Sequence, residues 1–200
     1  MLELATMENW HDINRLSNQV AALHTAWRPD LFRTAEYSYP KEVVEELIRE
    51  KSIFVAKLNG TVVGYTAFWI WETNGTCSVP RKVMSINDFC VDEPARGHGI
   101  GTQMMQELRA LSHAFGCTDL QLTVYPQNDA AVAFYQKCGF TIKSIEMQRK
   151  VYPIAVLEGG DFQKEDRYDQ TEKGSSFRLH SSSQITDSFL CFAAAEISGL

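Results

Sequence analysis

The sequence predicts an α/β fold in which helices pack against a mixed sheet. Two stretches with helical periodicity come first, two β-rich stretches joined by Asn59-Gly60 follow, and a glycine-rich turn then leads into alternating helices and strands. A chain of 200 residues, 44% of them apolar and 22% charged, is long enough to bury one sizeable core. We therefore expect one domain over residues 1–155, followed by a polar appendage over residues 156–200.

The amino-terminal part is predicted to be helical. A first helix is expected from Asn9 to Trp27, because its apolar side chains recur every three or four residues and Asn9 suits an N-cap. Residues 28–40 interrupt that periodicity and are expected to form a loop or a short helix. A second helix, from Pro40 to Glu50, has its proline near the first turn, where a missing N–H is tolerated.

The remaining elements are predicted from turn signals and a change of period. Asn59-Gly60 indicates a β-hairpin, because these residue types adopt the positive φ angles of a two-residue turn. Its strands are expected at 52–58 and 61–71, with a further strand at 81–91. The elements that follow the glycine-rich turn are an amphipathic helix ending near Gly116, a strand at 119–125, a short helix between Asn128 and Gly139, and a last alternating strand at 140–151.

The composition argues against several classes of partner. The net charge of −6 disfavours a nucleic-acid ligand, whose phosphates require a basic surface. The five cysteines form no Cys-x-x-Cys pair, which favours a reduced, cytoplasmic protein without a disulfide framework or zinc site. The amino end has no basic leader, and the longest apolar cluster, residues 65–71, is too short to span a bilayer, so we expect no membrane association. The serine-rich sequence at 161–186 predicts a poorly ordered tail.

Three glycines at alternate positions, Gly97, Gly99 and Gly101, separate a predicted strand from a predicted helix. A helix N-terminus has unpaired N–H donors and about half a positive charge, so it binds phosphate where glycine lets the backbone approach closely. Arg96, at the entrance, can add a charge-assisted contact. A P-loop and a dinucleotide fingerprint require other spacings and are excluded. A tight turn without a ligand is the remaining alternative.

Two motifs carry a resemblance to a known family. RGHGIG at Arg96–Gly101 matches an Arg/Gln-x-x-Gly-x-Gly/Ala signature, and NDAAVAFYQKCGF at Asn128–Phe140 matches an Asn-x-x-Ala-x-x-Phe-Tyr-x-x-x-Gly-Phe stretch. Over about residues 3–151, the chain therefore resembles the GNAT superfamily of acyl-CoA N-acyltransferases. The resemblance implies a mixed, mainly antiparallel sheet flanked by helices, whose central strands splay apart.

The resemblance also implies an acetyl-CoA site. The pyrophosphate would lie on the backbone of Arg96–Thr102, and the pantetheine arm would pair with the strand end at Phe89–Val91. A backbone N–H near Phe89 or Cys90 would stabilise negative charge on the thioester oxygen. Asn128 would hold the pantetheine arm, with a plain N-cap as the alternative. The implied cofactor-binding residues are Phe89, Cys90, Val91, Arg96, Gly97, His98, Gly99, Ile100, Gly101, Thr102, Asn128 and Tyr135.

The resemblance assigns one proton transfer and leaves the other open. Tyr135 would protonate the departing thiolate, which a phenol of pKa about 10 can do when the site assists. Asn87 stands where related polyamine acetyltransferases have a glutamate, and an amide cannot act as a base. Asp88 points to the opposite face of a regularly alternating strand unless a bulge redirects it. The candidates for the base are thus Asp88 and a water chain ordered by Ser85 and Asn87.

The acceptor is expected to bind between the first two helices. That segment combines aromatic and charged side chains, and its carboxylates would attract a cationic amine. The alternative is a solvated loop in which Arg28 pairs with Asp30. The candidate acceptor residues are Trp27, Arg28, Asp30, Phe32, Glu36 and Ser85.

Together these expectations describe an acetyl-CoA-dependent N-acetyltransferase that acetylates a small-molecule amine by direct attack in a ternary complex. Protein or peptide N-acetylation is one alternative, and a non-catalytic acyl-CoA-binding module is another. We expect no metal, because the five histidines show no ligand spacing. A homodimer is left open as the assembly.

Overall fold

The computed structural model of the protein describes residues 1–150. Within that range, residues 1–141 form one compact unit, and residues 142–150 belong to a second unit. The boundary expected at residue 155 and the tail expected at 156–200 lie outside the described residues and stay predictions.

One five-stranded sheet organises the compact unit, with strand order β1-β2-β3-β4-β5. The first four strands pair antiparallel, whereas β4 and β5 pair parallel. The predicted mixed, mainly antiparallel sheet is thus confirmed. The strands are β1 (Leu2–Leu4), β2 (Ile53–Leu58), β3 (Thr61–Thr73), β4 (Arg81–Val91) and β5 (Asp119–Leu122), and the helices are α1 (Trp10–Trp27), α2 (Lys41–Arg49), α3 (Ile100–Ala114) and α4 (Asp129–Lys137).

Local signals in the sequence account for most of these boundaries. Asn59 and Gly60 have φ angles of 51° and 81°, which close the predicted hairpin between β2 and β3. Gly116 has a φ of 72° and follows the last turn of α3, as a C-terminal glycine does. At the start of α1, Asn9 Oδ1 accepts a hydrogen bond from the Thr6 N–H at 3.0 Å, so its side chain orders the preceding turn.

The sheet separates two apolar cores. On one face, α1 and α2 cover a cluster that includes Ile13, Leu16 and Val55. On the other face, α3 and α4 cover a cluster that includes Phe89, Met104 and Leu108. A sheet buried on both faces explains why β4 is buried throughout its second half.

Two predictions at the ends of the fold differ from the structure. The strand expected at 140–151 is absent from the described residues 141–150, which carry no regular secondary structure. Ile142, Ile145 and Met147 are 77%, 80% and 92% exposed. Their spacing of three and then two residues would put Ile142 and Ile145 on opposite faces of a strand, so no single face is apolar. Strand β1 was not predicted, because three residues are too few to show a period.

Candidate active site

The parallel pairing of β4 and β5 is short and leaves a gap. It runs from Val83, opposite Asp119, to Ile86, opposite Leu122, while β4 continues to Val91. Within residues 1–150, the β5 side of β4 therefore has no strand partner beyond Ile86. We call the region beyond this last pair the strand gap, and it corresponds to the divergence that the sequence resemblance implied.

The glycine turn, Arg96–Gly101, begins α3 just after β4 ends. Gly97 and Gly99 have φ angles of 76° and 78°, a conformation that L side chains rarely adopt. A Cβ on Gly99 would have nothing within 4 Å, so the space beside that backbone is open. No side chain caps α3 and no acidic residue lies in its first turn. This end of α3 can therefore accept an anion on its backbone N–H groups.

Arg96 and His98 shape this turn from within. The Arg96 Nε donates a 3.0 Å hydrogen bond to the Val91 carbonyl, and so fixes the turn to the end of β4. The His98 Nδ1 lies 2.7 Å from the Arg96 carbonyl, on the exposed side of the turn. Ile100 and Gly101 are buried beneath the turn, while Thr102 is exposed.

Tyr135 and Asn128 lie on and before α4. Asn128 Oδ1 accepts a 3.1 Å hydrogen bond from the Ala131 N–H, so it caps the helix. Tyr135 is 4% exposed, and its ring packs against Phe89 of β4 and against Phe140, with centroids 6.3 and 5.7 Å apart. The α4 motif is thus in contact with the strand that the resemblance assigns to the pantetheine arm. Phe89 and Val91 face this side, whereas Cys90 faces α1.

A bulge at Asn87 decides where Asp88 points. Ala67 of β3 pairs with Asp88, but the next pair is Phe68 with Ile86, so Asn87 has no partner in that register. The extra residue turns Asp88 towards α1 and α2, the redirection that the sequence had left open. Asn87 and Ser85 are both about nine-tenths buried near the start of the strand gap.

The Asp88 carboxyl is buried in the core between the sheet and helices α1 and α2, where it makes a polar contact. Its Oδ2 accepts a hydrogen bond from the Tyr39 hydroxyl, while among residues 1–150 its Oδ1 has no hydrogen-bond partner. Burial raises the pKa of Asp88 well above its ordinary value, and the Tyr39 hydrogen bond opposes that rise. In this arrangement Asp88 has a structural role, since it links β4 to Tyr39. Its role as the base stays a prediction.

The residues expected to bind the acceptor are only partly brought together. Trp27 and Phe32 converge, while Arg28 pairs with Asp30 through two hydrogen bonds of 2.9 and 3.0 Å. The local pairing of Arg28 with Asp30, predicted as the alternative to an acceptor-binding role, is therefore present. Glu36 is exposed, and its charge raises the pKa of the adjacent Tyr37.

Two side chains of this region were missed by sequence reasoning. The His24 ring contacts the rings of Trp27 and Phe32, and Tyr125 packs on both His24 and Phe32, with centroids 5.4 and 5.7 Å apart. We call these four residues the His24 cluster. A signal for His24 was present: it continues the four-residue spacing of Leu16 and Val20 on the apolar face of α1. Tyr125 had no such signal, because only the fold brings it to α1.

Comparison with known proteins identifies the family. The model of the acetyltransferase (GNAT) family matches residues 18–140, more than half of the chain. The chain belongs to this family. An N-alpha-acetyltransferase of Sulfurisphaera tokodaii is 30% identical over 121 residues, which are 58% of this chain and 71% of the relative. An uncharacterized N-acetyltransferase of Methanocaldococcus jannaschii is 31% identical over 97 residues, 48% of this chain and 42% of the relative, so the chain spans less than half of that protein.

Solved structures agree with this assignment of the fold. A mutant form of the BH1408 protein from Bacillus halodurans superposes with a TM-score of 0.73 at 26% identity. The match covers 76% of this chain and 99% of that one. In residues 1–150, no group of three or more His, Cys, Asp or Glu side chains is arranged to hold a metal ion, and no helix there is long and apolar enough to cross a membrane.

Proposed function

We propose that this GNAT protein is an acetyl-CoA-dependent N-acetyltransferase that acetylates a small-molecule amine by direct attack in a ternary complex. The observation that carries the proposal is the glycine turn, which exposes the uncapped N-terminus of α3 directly beside the strand gap. An anion-binding helix end and an unpaired strand edge are the two features that a long, phosphate-bearing thioester requires. Family membership supplies the reaction class.

The glycine turn and the end of β4 are the proposed binding elements for acetyl-CoA, which supplies the acetyl group as a thioester. The backbone of Arg96–Thr102 would take the pyrophosphate, and the edge of Phe89–Val91 would take the pantetheine arm, with Asn128 beside it. The open space at Gly99 and the absence of an acidic side chain in the first turn of α3 support the fit. A negatively charged residue there would repel a phosphate.

Tyr135 is the proposed acid for the sulfur that leaves. Its ring contacts Phe89 of β4, so its α4 position adjoins the strand proposed to hold the thioester arm. Because Tyr135 is almost completely buried, little water competes for a hydrogen bond from its hydroxyl. Proton donation by a positioned side chain typically contributes about 10²–10⁴-fold to the rate.

The acceptor is proposed to be a small amine, bound near the His24 cluster. The flat faces of Trp27, Phe32 and Tyr125 form an electrostatically favourable surface for a cationic amine. The N-alpha-acetyltransferase relative favours a second candidate, the α-amine of a peptide. The odd number of cysteines without paired spacing supports a reducing, cytoplasmic setting for either reaction.

The decisive experiment measures acetyl transfer from acetyl-CoA to spermidine, kanamycin, glucosamine 6-phosphate and short peptides with free amino ends. A rate for one of the small amines above that of every peptide is the expected result. Preference for peptides would establish the second candidate. Tight acetyl-CoA binding by calorimetry without transfer to any amine would instead favour a non-catalytic acyl-CoA-binding module.

A further inference from the structure

His24 is a buried ionisable side chain at a position that the fold reserves for apolar residues. It follows Leu16 and Val20 at successive four-residue steps on the face of α1 that packs on the sheet. Its exposure is 1%. An imidazole in such a position loses hydration that an aliphatic side chain would not lose, so its presence calls for a reason other than packing.

The course of α1 brings His24 to the strand gap. Near its middle, the Leu16 carbonyl accepts a hydrogen bond from the Cys90 thiol of β4 at 3.7 Å. Eight residues later, about 12 Å along a helix, His24 contacts Tyr125, three residues beyond the end of β5. Helix α1 therefore bridges from β4 to the segment after β5, and His24 lies where it crosses the opening between them.

The His24 cluster extends from this buried imidazole towards the surface. Trp27, Phe32 and Tyr125 are each partly exposed, so their rings form a continuous contact between solvent and His24. An amine that entered along these rings would meet His24 on the α1 side of the strand gap. A thioester in the gap would be reached from that side.

Among residues 1–150, ionisable groups face the cluster from the segment after α1 and from the sheet. Tyr125 touches His24 directly, and the Arg28–Asp30 pair begins one turn later along the chain, where its two charges compensate each other. From the sheet, Asp88 and Cys90 of β4 and Tyr65 of β3 lie on the α1 face. The Tyr39 hydroxyl donates to Asp88, and the Cys90 thiol donates to the Leu16 carbonyl. The imidazole is thus the group of this cluster whose ordinary pKa, about 6.5, lies nearest neutrality.

We propose that His24 accepts the proton that the acceptor amine must lose before it attacks. This inference rests on the proposed function and adds the base to it. The ammonium proton moves to a ring nitrogen of His24, the freed nitrogen lone pair bonds to the acetyl carbon, and the carbon–sulfur bond breaks. The sulfur takes a proton from Tyr135, and the acylated nitrogen releases its second proton to solvent to give the neutral amide. The imidazolium then loses its proton to solvent and the phenolate regains one, so one proton is released overall.

The first test compares pH–rate profiles of His24→Gln and His113→Gln, the latter a matched change at an exposed histidine of α3. For His24→Gln we expect kcat/KM near pH 7 to fall about 10²–10⁴-fold, with acetyl-CoA affinity unchanged. The loss should shrink as pH rises, because a free amine needs no base. His113→Gln should follow the parent profile. Loss of the same pH dependence in Asp88→Asn, with His24→Gln unaffected, would overturn the proposal in favour of Asp88.

The second test needs no turnover and uses the unaltered chain, so a misfolded variant does not weaken it. Imidazole resonances are followed by NMR while each amine of the panel is added in the presence of coenzyme A. An acetylated amine should shift the His24 resonances and leave those of His113 in place. Acetylation with unmoved His24 resonances overturns this inference alone. Acetyl-CoA binding with neither acetylation nor a His24 shift overturns the proposed function as well.

Discussion

The α3 side of the sheet and the α1 side present two different kinds of site. On the α3 side, the recognition elements are mostly backbone: a positive-φ glycine turn, a helix N-terminus and a strand edge. On the α1 side, they are side chains from distant parts of the chain, such as His24 and Tyr125. A backbone site constrains the sequence at adjacent positions, whereas a side-chain site can be altered one residue at a time.

This difference matches what each side is proposed to bind. A donor common to the family can be held by groups that every residue possesses, so the glycine turn needs only the absence of side chains. An acceptor that differs between members requires side chains that differ as well. The comparison predicts that changes on the α3 side affect donor binding and chemistry with every acceptor, while changes in the His24 cluster affect acceptors unequally.

The largest expected effect tests the α3 side of this comparison, through the proposed acid Tyr135. Tyr135→Phe removes a hydroxyl and keeps the ring contacts with Phe89 and Phe140. We expect kcat to fall about 10²–10⁴-fold with every acceptor, and acetyl-CoA affinity to change little, because the proton is needed only as the sulfur leaves. Steady-state kinetics and calorimetry measure both. Tyr37→Phe, at an exposed tyrosine, is the control; a normal kcat for Tyr135→Phe would remove this residue from the mechanism.

A smaller effect would test the backbone nature of the donor site. Gly99→Val introduces a branched side chain at a φ of 78°, which strains the turn, and places that side chain in the open space that a ligand would approach. We expect acetyl-CoA affinity to weaken by about 1–3 kcal/mol, the scale of a lost hydrogen bond to a charged group. Gly116→Val is a matched control, because Gly116 has a φ of 72° and equally open surroundings. Equal affinities in the two folded variants would contradict the role of the glycine turn.

On the α1 side, the buried Asp88 is expected to make the free energy of unfolding depend on pH. The folded chain holds the pKa of Asp88 above its unfolded value, so it binds this proton more tightly than the unfolded chain does. Stability linked to Asp88 is therefore present at low pH and is lost as pH rises from about 4 through the folded pKa. Tyr39 and Tyr65 lie beside it, and because burial raises the pKa of each well above its ordinary value, both remain neutral over that range.

Asp88→Asn isolates this pH-dependent contribution to the free energy of unfolding, because an amide oxygen can accept the Tyr39 hydrogen bond without a charge. Relative to the parent chain, Asp88→Asn should gain stability as pH rises, by about 1.4 kcal/mol for each unit of pKa difference between the folded and unfolded states. Urea unfolding at pH 5, 6, 7 and 8 measures the trend. A difference that stays constant over this range would show that Asp88 ionises as readily in the folded state as in water.

The smallest effect concerns the contact that fixes α1 to the end of β4. Burial alone would raise the pKa of Asp92, but hydrogen bonds from Gln19 and Arg15 bring it below the ordinary value. Arg15→Met should cost about 0.2–1 kcal/mol at low salt, as partly exposed ion pairs do, and less at high salt. Denaturant titration at two ionic strengths measures it. Arg49→Met removes a more exposed pair within α2, and an equal loss there would argue against a specific link to β4.

The sequence was most informative where one short stretch determines local structure. Asn59-Gly60 specifies the hairpin, and the alternate glycines specify the turn before α3, because both rely on backbone angles that few residues adopt. The pairing of Asp88 with Tyr39 and of His24 with Tyr125 depends on contacts across 49 and 101 positions of the chain. Periodicity within one element carries no information about such contacts. The alternating strand expected at 140–151 shows the converse error, since in the described part of that stretch Ile142, Ile145 and Met147 are exposed and share no buried face.

The bulge at Asn87 has a further consequence for how β4 tolerates insertions and deletions. Before it, the even-numbered Met84 and Ile86 join the core beneath α3; after it, the odd-numbered Phe89 and Val91 do. Even-numbered residues of β4 thus face α3 before Asn87 and odd-numbered residues face it afterwards, and the change occurs at the start of the strand gap. Deleting Asn87 would remove the extra residue and leave Met84, Phe89 and Cys90 on the faces that they now occupy. Inserting one residue after Asn87 would instead exchange the faces of Phe89 and Cys90 while leaving Met84 where it is. In this chain the change of parity falls at Asn87, one residue beyond the last pair of β4 with β5, so the bulge and the opening of the sheet coincide.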